Sequence, residues 1–127
     1  MRLVLVRHAE AARGEPDELR ALTPAGRQQA RELGDRLRAD GIKPDAVLTS
    51  PLLRARETGA ALGFDEPEAL AELSPGATAD DVRGAIAGRG DTVVVVGHQP
   101  DCSLITAALR GGAEPAFPPA GAQIIEL

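Results

Sequence analysis

The stretch that decides the fold spans residues 92–98 and reads Thr92-Val93-Val94-Val95-Val96-Gly97-His98. Four consecutive valines without apolar/polar alternation are typical of a central strand that helices cover on both faces. A second, mostly apolar run, residues 1–6, precedes Arg7 and His8. Because the carboxyl ends of parallel strands meet at one edge of a sheet, we expect His8 and His98, the only two histidines, to share that edge. Ligands usually bind at this edge of an α/β protein.

Strand and helix signals alternate along the rest of the chain. Thr23-Pro24 and Ser50-Pro51 both have the pattern of an N-cap followed by proline at the first helical position, and Thr78 opens a capping box. These signals predict helices over about 24–40, from Ser50-Pro51 to near 63, from about 79 to 87, and from about 100 to 110, with further strands at 45–49, 69–73 and 123–126. The predicted fold class is a single-domain, three-layer α/β/α architecture over residues 1–127, with a mostly parallel central sheet and no sizeable cap domain.

Composition excludes several classes of function. The formal net charge of −5 disfavours general affinity for nucleic acid or anionic membranes, and with Phe64 and Phe117 as the only aromatic residues, base stacking is not expected. A single cysteine, Cys102, excludes an internal disulfide and a cysteine-based zinc cluster, and two histidines without a third ligand argue against catalytic zinc. No apolar run approaches the ~20 residues of a membrane span. We therefore expect a cytoplasmic monomer without a cofactor.

Four residues at strand ends or helix starts could perform phosphoryl chemistry together: Arg7, His8, Arg54 and His98. Two arginine forks could hold phosphoryl oxygens, and His98 would add a charged donor. His8 could then attack phosphorus in line, provided that its ring is neutral. Neighbouring guanidinium groups favour that neutral form, and a backbone carbonyl bound to the other ring nitrogen would fix the tautomer.

A leaving group of high pKa also needs a proton. Glu72, at the end of the short third strand, is the first candidate for this acid, and Glu10 and Asp101 are lesser ones. Gly26 is expected to permit close helix packing, and Cys102 to be a small buried side chain.

Five motifs occur in a fixed order along nearly the whole chain. They are Arg7-His8-Ala9, Leu22-Thr23-Pro24-Ala25-Gly26 with Gln29-Ala30, Ser50-Pro51-Leu52-Leu53-Arg54 with Thr58, Glu72-Leu73-Ser74-Pro75-Gly76, and Gly97-His98-Gln99-Pro100. With this ordered set, the chain resembles the histidine phosphatase superfamily, also called phosphoglycerate-mutase-like, and within it the small SixA-type phosphohistidine phosphatases. Ala9, Ala11 and Ala12 depart from the polar residues of larger members, a departure that the small subfamily shares.

The resemblance implies that His8 is the phosphorylated nucleophile and that Arg7, Arg54 and His98 form the phosphate pocket. Glu72 looks like the family's acid position. The expected function is that of a metal-independent phosphatase acting on phosphohistidine in proteins. Two alternatives stay open: a phosphomonoesterase for a small sugar or nucleoside phosphate, and a noncatalytic module that binds phosphate or phosphoproteins.

Overall fold

A five-stranded sheet organises the computed structural model, which describes all residues from 1 to 127. The strands are β1 (Arg2–Arg7), β2 (Ala46–Thr49), β3 (Glu68–Ala69), β4 (Thr92–Gly97) and β5 (Ala122–Glu126). Their spatial order is β3-β2-β4-β1-β5, with β5 antiparallel to β1 and every other pair parallel. The valine strand β4 is therefore central, and its four valines are fully buried, as their lack of alternation predicts.

Helices cover both faces of this sheet. They are α1 (Pro24–Ala39), α2 (Leu53–Ala61), α3 (Ala79–Ile86) and α4 (Asp101–Arg110). One core cluster joins β4 to α3 and α4 through residues such as Val82 and Ile105. The other joins β4 to α1 and α2 through Leu33 and Ala55. The three-layer α/β/α class is confirmed, and none of the helices is both long and apolar enough to cross a membrane.

Local capping chemistry begins two helices where the sequence predicts. Thr23 Oγ1 accepts a hydrogen bond from the Gly26 amide at 2.9 Å at the start of α1. The capping box of Thr78 and Asp81 is present at the start of α3.

Two predicted elements differ from the structure. Helix α2 begins at Leu53, and Ser50 is not its N-cap, because the Ser50 hydroxyl is hydrogen-bonded to His98 at the end of the neighbouring strand β4 and to the Leu52 amide. The extended segment predicted for 69–73 is strand only at Glu68–Ala69. It continues as a 3-10 turn, Ala71–Leu73, which buries Leu73 and leaves Glu72 exposed.

Strand register places both histidines at the same edge. Arg7 is the partner of Gly97 in the parallel pair β1–β4, so His8 and His98 are the next residues on neighbouring strands. The His8 amide donates to the Gly97 carbonyl at 3.0 Å, which extends the pairing to the nucleophile candidate itself. The sheet topology therefore places the two histidines side by side, as predicted.

Candidate active site

The two histidines face each other at the carboxyl edge of the sheet. Their ring centroids are 5.3 Å apart, and the ring planes are inclined by 58°. His98 is 5% exposed, whereas His8 is half-buried. Of the two rings, His8 is therefore the more accessible to solvent.

The backbone fixes the orientation and tautomer of His8. Its Nδ1–H donates to the Ala9 carbonyl at 2.8 Å, since a carbonyl oxygen can only accept. Nε2 of the neutral ring then carries the free lone pair. Helix α2 holds the same loop, because Thr58 Oγ1 accepts from the Ala9 amide at 2.9 Å and donates to the Arg54 carbonyl at 2.7 Å.

Burial is the largest cause that lowers the pKa of His8 below its usual value of 6.5. The charges of Arg54, Arg7 and Arg20 lower this pKa further, and the hydrogen bond to the Ala9 carbonyl opposes them in part. The imidazole is therefore neutral at pH 7, as a nucleophile must be.

His98 does not carry the charge that the sequence reasoning expects. Burial, followed by the charges of His8 and Arg54, lowers the pKa of His98 to about 4, and Asp17 only partly opposes this shift. Its Nε2 is hydrogen-bonded to Ser50 Oγ at 2.7 Å, which leaves Nδ1 for a ligand. Because an almost fully buried ring among cations has too little solvation to hold a proton, His98 is not a charged donor at pH 7 in the protein without substrate.

Both predicted arginines reach the site. Arg7 donates from Nη1 to the Phe117 carbonyl at 2.9 Å, while its Nε is buried and has no hydrogen-bond partner. The Arg54 side chain is 9% exposed, and it donates from Nη1 to the Asp17 carbonyl at 2.9 Å and from Nη2 to Asp17 Oδ2 at 3.2 Å. These contacts hold two guanidinium groups in fixed positions beside the histidines.

Sequence reasoning missed Asp17 and Arg20, which lie in the loop between β1 and α1. Asp17 is the only carboxylate whose charge contributes to the pKa shift of either histidine. Arg20 donates to Asp17 Oδ1 at 3.0 Å, and its charge is felt at His8. A spacing of three residues between opposite charges is the one signal that could have found this pair.

The three candidate acids are engaged elsewhere. Glu72 lines a surface groove with Asp80, Asp81 and Arg89, and neither histidine belongs to that groove. The structure therefore does not bring Glu72 together with the other predicted site residues.

The two lesser candidates also have local partners. Asp101 Oδ2 accepts from the Gly76 amide at 2.8 Å. Glu10 Oε2 accepts from Thr23 Oγ1 at 2.6 Å. Each carboxylate is thus committed to a loop or helix contact.

A neutral imidazole with a free Nε2 beside two guanidinium groups can attack the phosphorus of a phosphoryl group that those groups hold. No group of three or more His, Cys, Asp or Glu side chains is arranged to hold a metal ion. Cys102 is fully buried, and burial raises the pKa of its thiol to about 12. The thiol is therefore unreactive, as expected.

Comparisons with known proteins agree with this geometry. The family model of the histidine phosphatase superfamily (branch 1) matches residues 3–81. The uncharacterized protein Rv1276c of Mycobacterium tuberculosis is 40% identical over 109 residues, which are 82% of this chain and 69% of that protein.

Solved structures show the same likeness over the whole fold. The protein histidine phosphatase SixA complexed with tungstate has a TM-score of 0.88 at 29% identity, covering 100% of this chain and 88% of that one. A putative phosphohistidine phosphatase SixA from Agrobacterium tumefaciens has a TM-score of 0.82 at 28% identity, covering 97% and 89%. The family match and these neighbours establish that the chain belongs to the histidine phosphatase superfamily and is a phosphatase.

Proposed function

We propose that the protein is a metal-independent phosphatase that forms a phosphohistidine intermediate on His8 and acts on phosphohistidine in proteins. The observation that carries this proposal is the state of His8. Its ring is neutral, its Nδ1–H is bound to the Ala9 carbonyl, and its Nε2 is free beside Arg7 and Arg54.

In the first step, the Nε2 lone pair of His8 attacks phosphorus in line, and the bond from phosphorus to the leaving atom breaks. Arg7 and Arg54 would hold the nonbridging oxygens. The phosphoryl charge raises the pKa of His98, because an opposite charge favours the imidazolium, so His98 becomes a charged donor once substrate is bound. The charged role expected for His98 thus belongs to the substrate complex.

In the second step, water attacks the phosphohistidine. The bond between phosphorus and Nε2 breaks, its electron pair returns to Nε2, and the protons of water leave with inorganic phosphate and solvent. His8 regains the neutral form in which it began.

The carboxylates around the site favour phosphohistidine as substrate. Hydrogen bonds from Arg20 and Arg54 lower the pKa of Asp17, so this carboxyl is ionised at pH 7 and is a poor proton donor. An imidazole whose other ring nitrogen is protonated departs neutral and needs no acid, whereas an alkoxide does need one. Two of the similar solved structures also carry the description of protein histidine or phosphohistidine phosphatase.

The test compares the parent protein with His8→Ala in the presence of a metal chelator. Substrates are a protein phosphorylated on histidine, an aryl phosphate and a sugar phosphate. We expect the parent to cleave the phosphohistidine protein with the highest kcat/KM, and the variant to lose activity by at least about 10³-fold, as for removal of a nucleophile.

Three other outcomes would contradict parts of this proposal. Equal activity of parent and variant would rule out His8 as nucleophile. A preference for the sugar phosphate would favour the small-metabolite alternative. Binding of phosphate without any turnover by the parent would favour the noncatalytic module.

A further inference from the structure

A single carboxylate joins two arginines at the rim of the site. Asp17 begins a 3-10 turn, Asp17–Leu19, and its two oxygens accept from different guanidinium groups. Oδ2 accepts from Arg54 Nη2 at 3.2 Å, and Oδ1 accepts from Arg20 Nη1 at 3.0 Å. The carboxylate therefore fixes the position of Arg20 relative to Arg54.

Arg20 is held as firmly as the arginines of the predicted site. Its Nε donates to the Ala12 carbonyl at 2.8 Å, and its side chain is only 28% exposed. The loop that carries Arg20 is closed by a backbone hydrogen bond, in which the Ala12 amide donates to the Ala21 carbonyl at 2.8 Å. A surface arginine without a role would gain little from such immobilisation, because fixing a long side chain costs conformational entropy.

The contacts of both arginines leave donors free for an anion. Asp17 takes one N–H from each Nη of Arg54, and Arg20 uses Nε and Nη1. A guanidinium has five N–H donors, so Arg54 keeps its Nε–H and outer Nη–H groups, and Arg20 keeps Nη2. These are the donors that suit bidentate recognition of phosphoryl oxygens.

Charge balance in the protein without substrate is consistent with a role for a third arginine. The negative charge of Asp17 offsets that of Arg54, and His98 is neutral at pH 7 before substrate binds, so Arg7 would be the one uncompensated cation that attracts an incoming phosphoryl group. With Arg20 included, three guanidinium groups and one carboxylate leave two positive charges in the free site.

We propose that Arg20 is a third phosphoryl-binding arginine of this site and that Asp17 is the residue that positions it beside Arg54. This inference rests on the proposed function, because it assumes that the phosphoryl group binds between Arg7, Arg54 and His8. It adds a ligand that none of the sequence motifs contains.

The first test measures binding of tungstate, a phosphate analogue, to Arg20→Gln by isothermal titration calorimetry. Arg13→Gln is the matched control, because Arg13 lies exposed in the same loop and its loss changes the net charge equally. We expect Arg20→Gln to weaken binding by about tenfold or more, as for a charge-assisted hydrogen bond, and Arg13→Gln to change it less than about twofold. Equal affinities of the two variants would overturn the proposal.

A second readout is the pH profile of kcat/KM on an aryl phosphate. The groups that surround His8 are Arg7 on β1, Arg54 on α2, Arg20 and Asp17 on the loop, and His98 after β4. Removing the Arg20 charge raises the pKa of His8, so the acidic limb of Arg20→Gln should move to higher pH. A purely structural role would lower activity without moving this limb.

Arg20→Lys separates charge from packing. It keeps the positive charge but loses the fork, so tungstate affinity should fall between those of the parent and Arg20→Gln. If Arg20→Lys and Arg20→Gln lose binding and thermal stability to the same degree, the effect is one of folding and the proposal is wrong.

The two proposals fail in different ways. A parent protein that binds tungstate through Arg20 but forms no phosphoenzyme would contradict the catalytic function and leave the arginine assignment standing. A parent that turns over normally, with Arg20→Gln equal to Arg13→Gln, would contradict only the arginine assignment.

Discussion

The two histidines show how position alone gives the same side chain different properties. His8 is half-buried and keeps one ring nitrogen free, whereas His98 is almost fully buried and hydrogen-bonded to Ser50. Both have lowered pKa values, mainly through burial. The site is therefore uncharged at its histidines and cationic at its arginines at pH 7.

This arrangement predicts a loss of stability in mild acid. The pKa of His98 is about 4 in the folded protein, against an ordinary value of 6.5 for the unfolded chain, so the unfolded chain binds more protons between these values. The contribution of His98 is complete above pH 6.5 and is lost as pH falls toward 4. It amounts to about 2 kcal/mol between about pH 7.5 and about pH 5.

Urea denaturation at several pH values measures this effect. His98→Gln retains a polar group near Ser50 but cannot titrate, so it should show a shallower decline of unfolding free energy with acid than the parent. Identical pH dependence in both proteins would mean that the His98 pKa is not depressed.

Thr58 gives a second prediction at the residue scale. Thr58→Val removes the acceptor of the Ala9 amide, and leaving that buried N–H unpaired should cost about 1–3 kcal/mol of stability. Because Ala9 also orients His8, kcat should fall by about tenfold or more. Thr58→Ser keeps the hydroxyl and is the control; if serine and valine variants have equal kcat, the hydroxyl does not position the nucleophile.

At the scale of elements, helix α1 packs directly against the loop that follows His8. A Cβ built at Gly26 would overlap the Glu10 carbonyl, so only glycine lets this helix approach so closely, as its sequence context predicts. Helix α1 and the loop from residue 9 to 12 therefore act as one supporting unit for His8.

Gly26→Ala should displace this loop. We expect a loss of about 1–3 kcal/mol in stability, as for overpacking, together with lower kcat. Gly84→Ala is the control, because Gly84 lies in α3 with no atom near the new methyl group, and it should raise stability by up to about 1 kcal/mol. Melting temperatures and turnover of both variants check this pair, and an unchanged kcat in Gly26→Ala would contradict the supporting role.

The elements also show which features the sequence could predict. The starts of α1 and α3 follow from Thr23 and Thr78, whose capping contacts span three residues. Ser50 has the same local pattern, but its hydroxyl contacts a histidine 48 residues away, and no local pattern reports such a contact.

The distinction between local and long-range contacts also explains which residues of the candidate site could be predicted. His8, Arg7, Arg54 and His98 follow from motifs at element ends, which topology brings together. Asp17 contacts Arg54 across 37 residues, and the one local signal in its loop, the three-residue spacing to Arg20, does not report that long-range contact, so sequence reasoning missed it. The sequence predicts Glu72 at a strand end, but the chain turns into a 3-10 segment there and faces another groove.

At the scale of the whole molecule, the parallel sheet makes the site. Neighbouring strands β1 and β4 end at the same level, and this places residues from opposite ends of the chain side by side. The segment between α2 and β4 consists of β3, the 3-10 turn and α3, and it forms no lid over the candidate site. A site without a lid suits a phosphohistidine carried on another folded protein.

The proposed catalytic function depends on Nε2 of His8 carrying the phosphoryl group during turnover. Phosphorus NMR can observe this directly in the parent protein trapped with phosphohistidine substrate and denatured in alkali, with His8→Ala beside it. Because Nδ1 is bound to the Ala9 carbonyl, we expect one acid-labile phosphohistidine linked through Nε2, absent from the variant. A phosphoryl group on Nδ1 or on another residue, or labelling that survives in His8→Ala, would contradict this assignment.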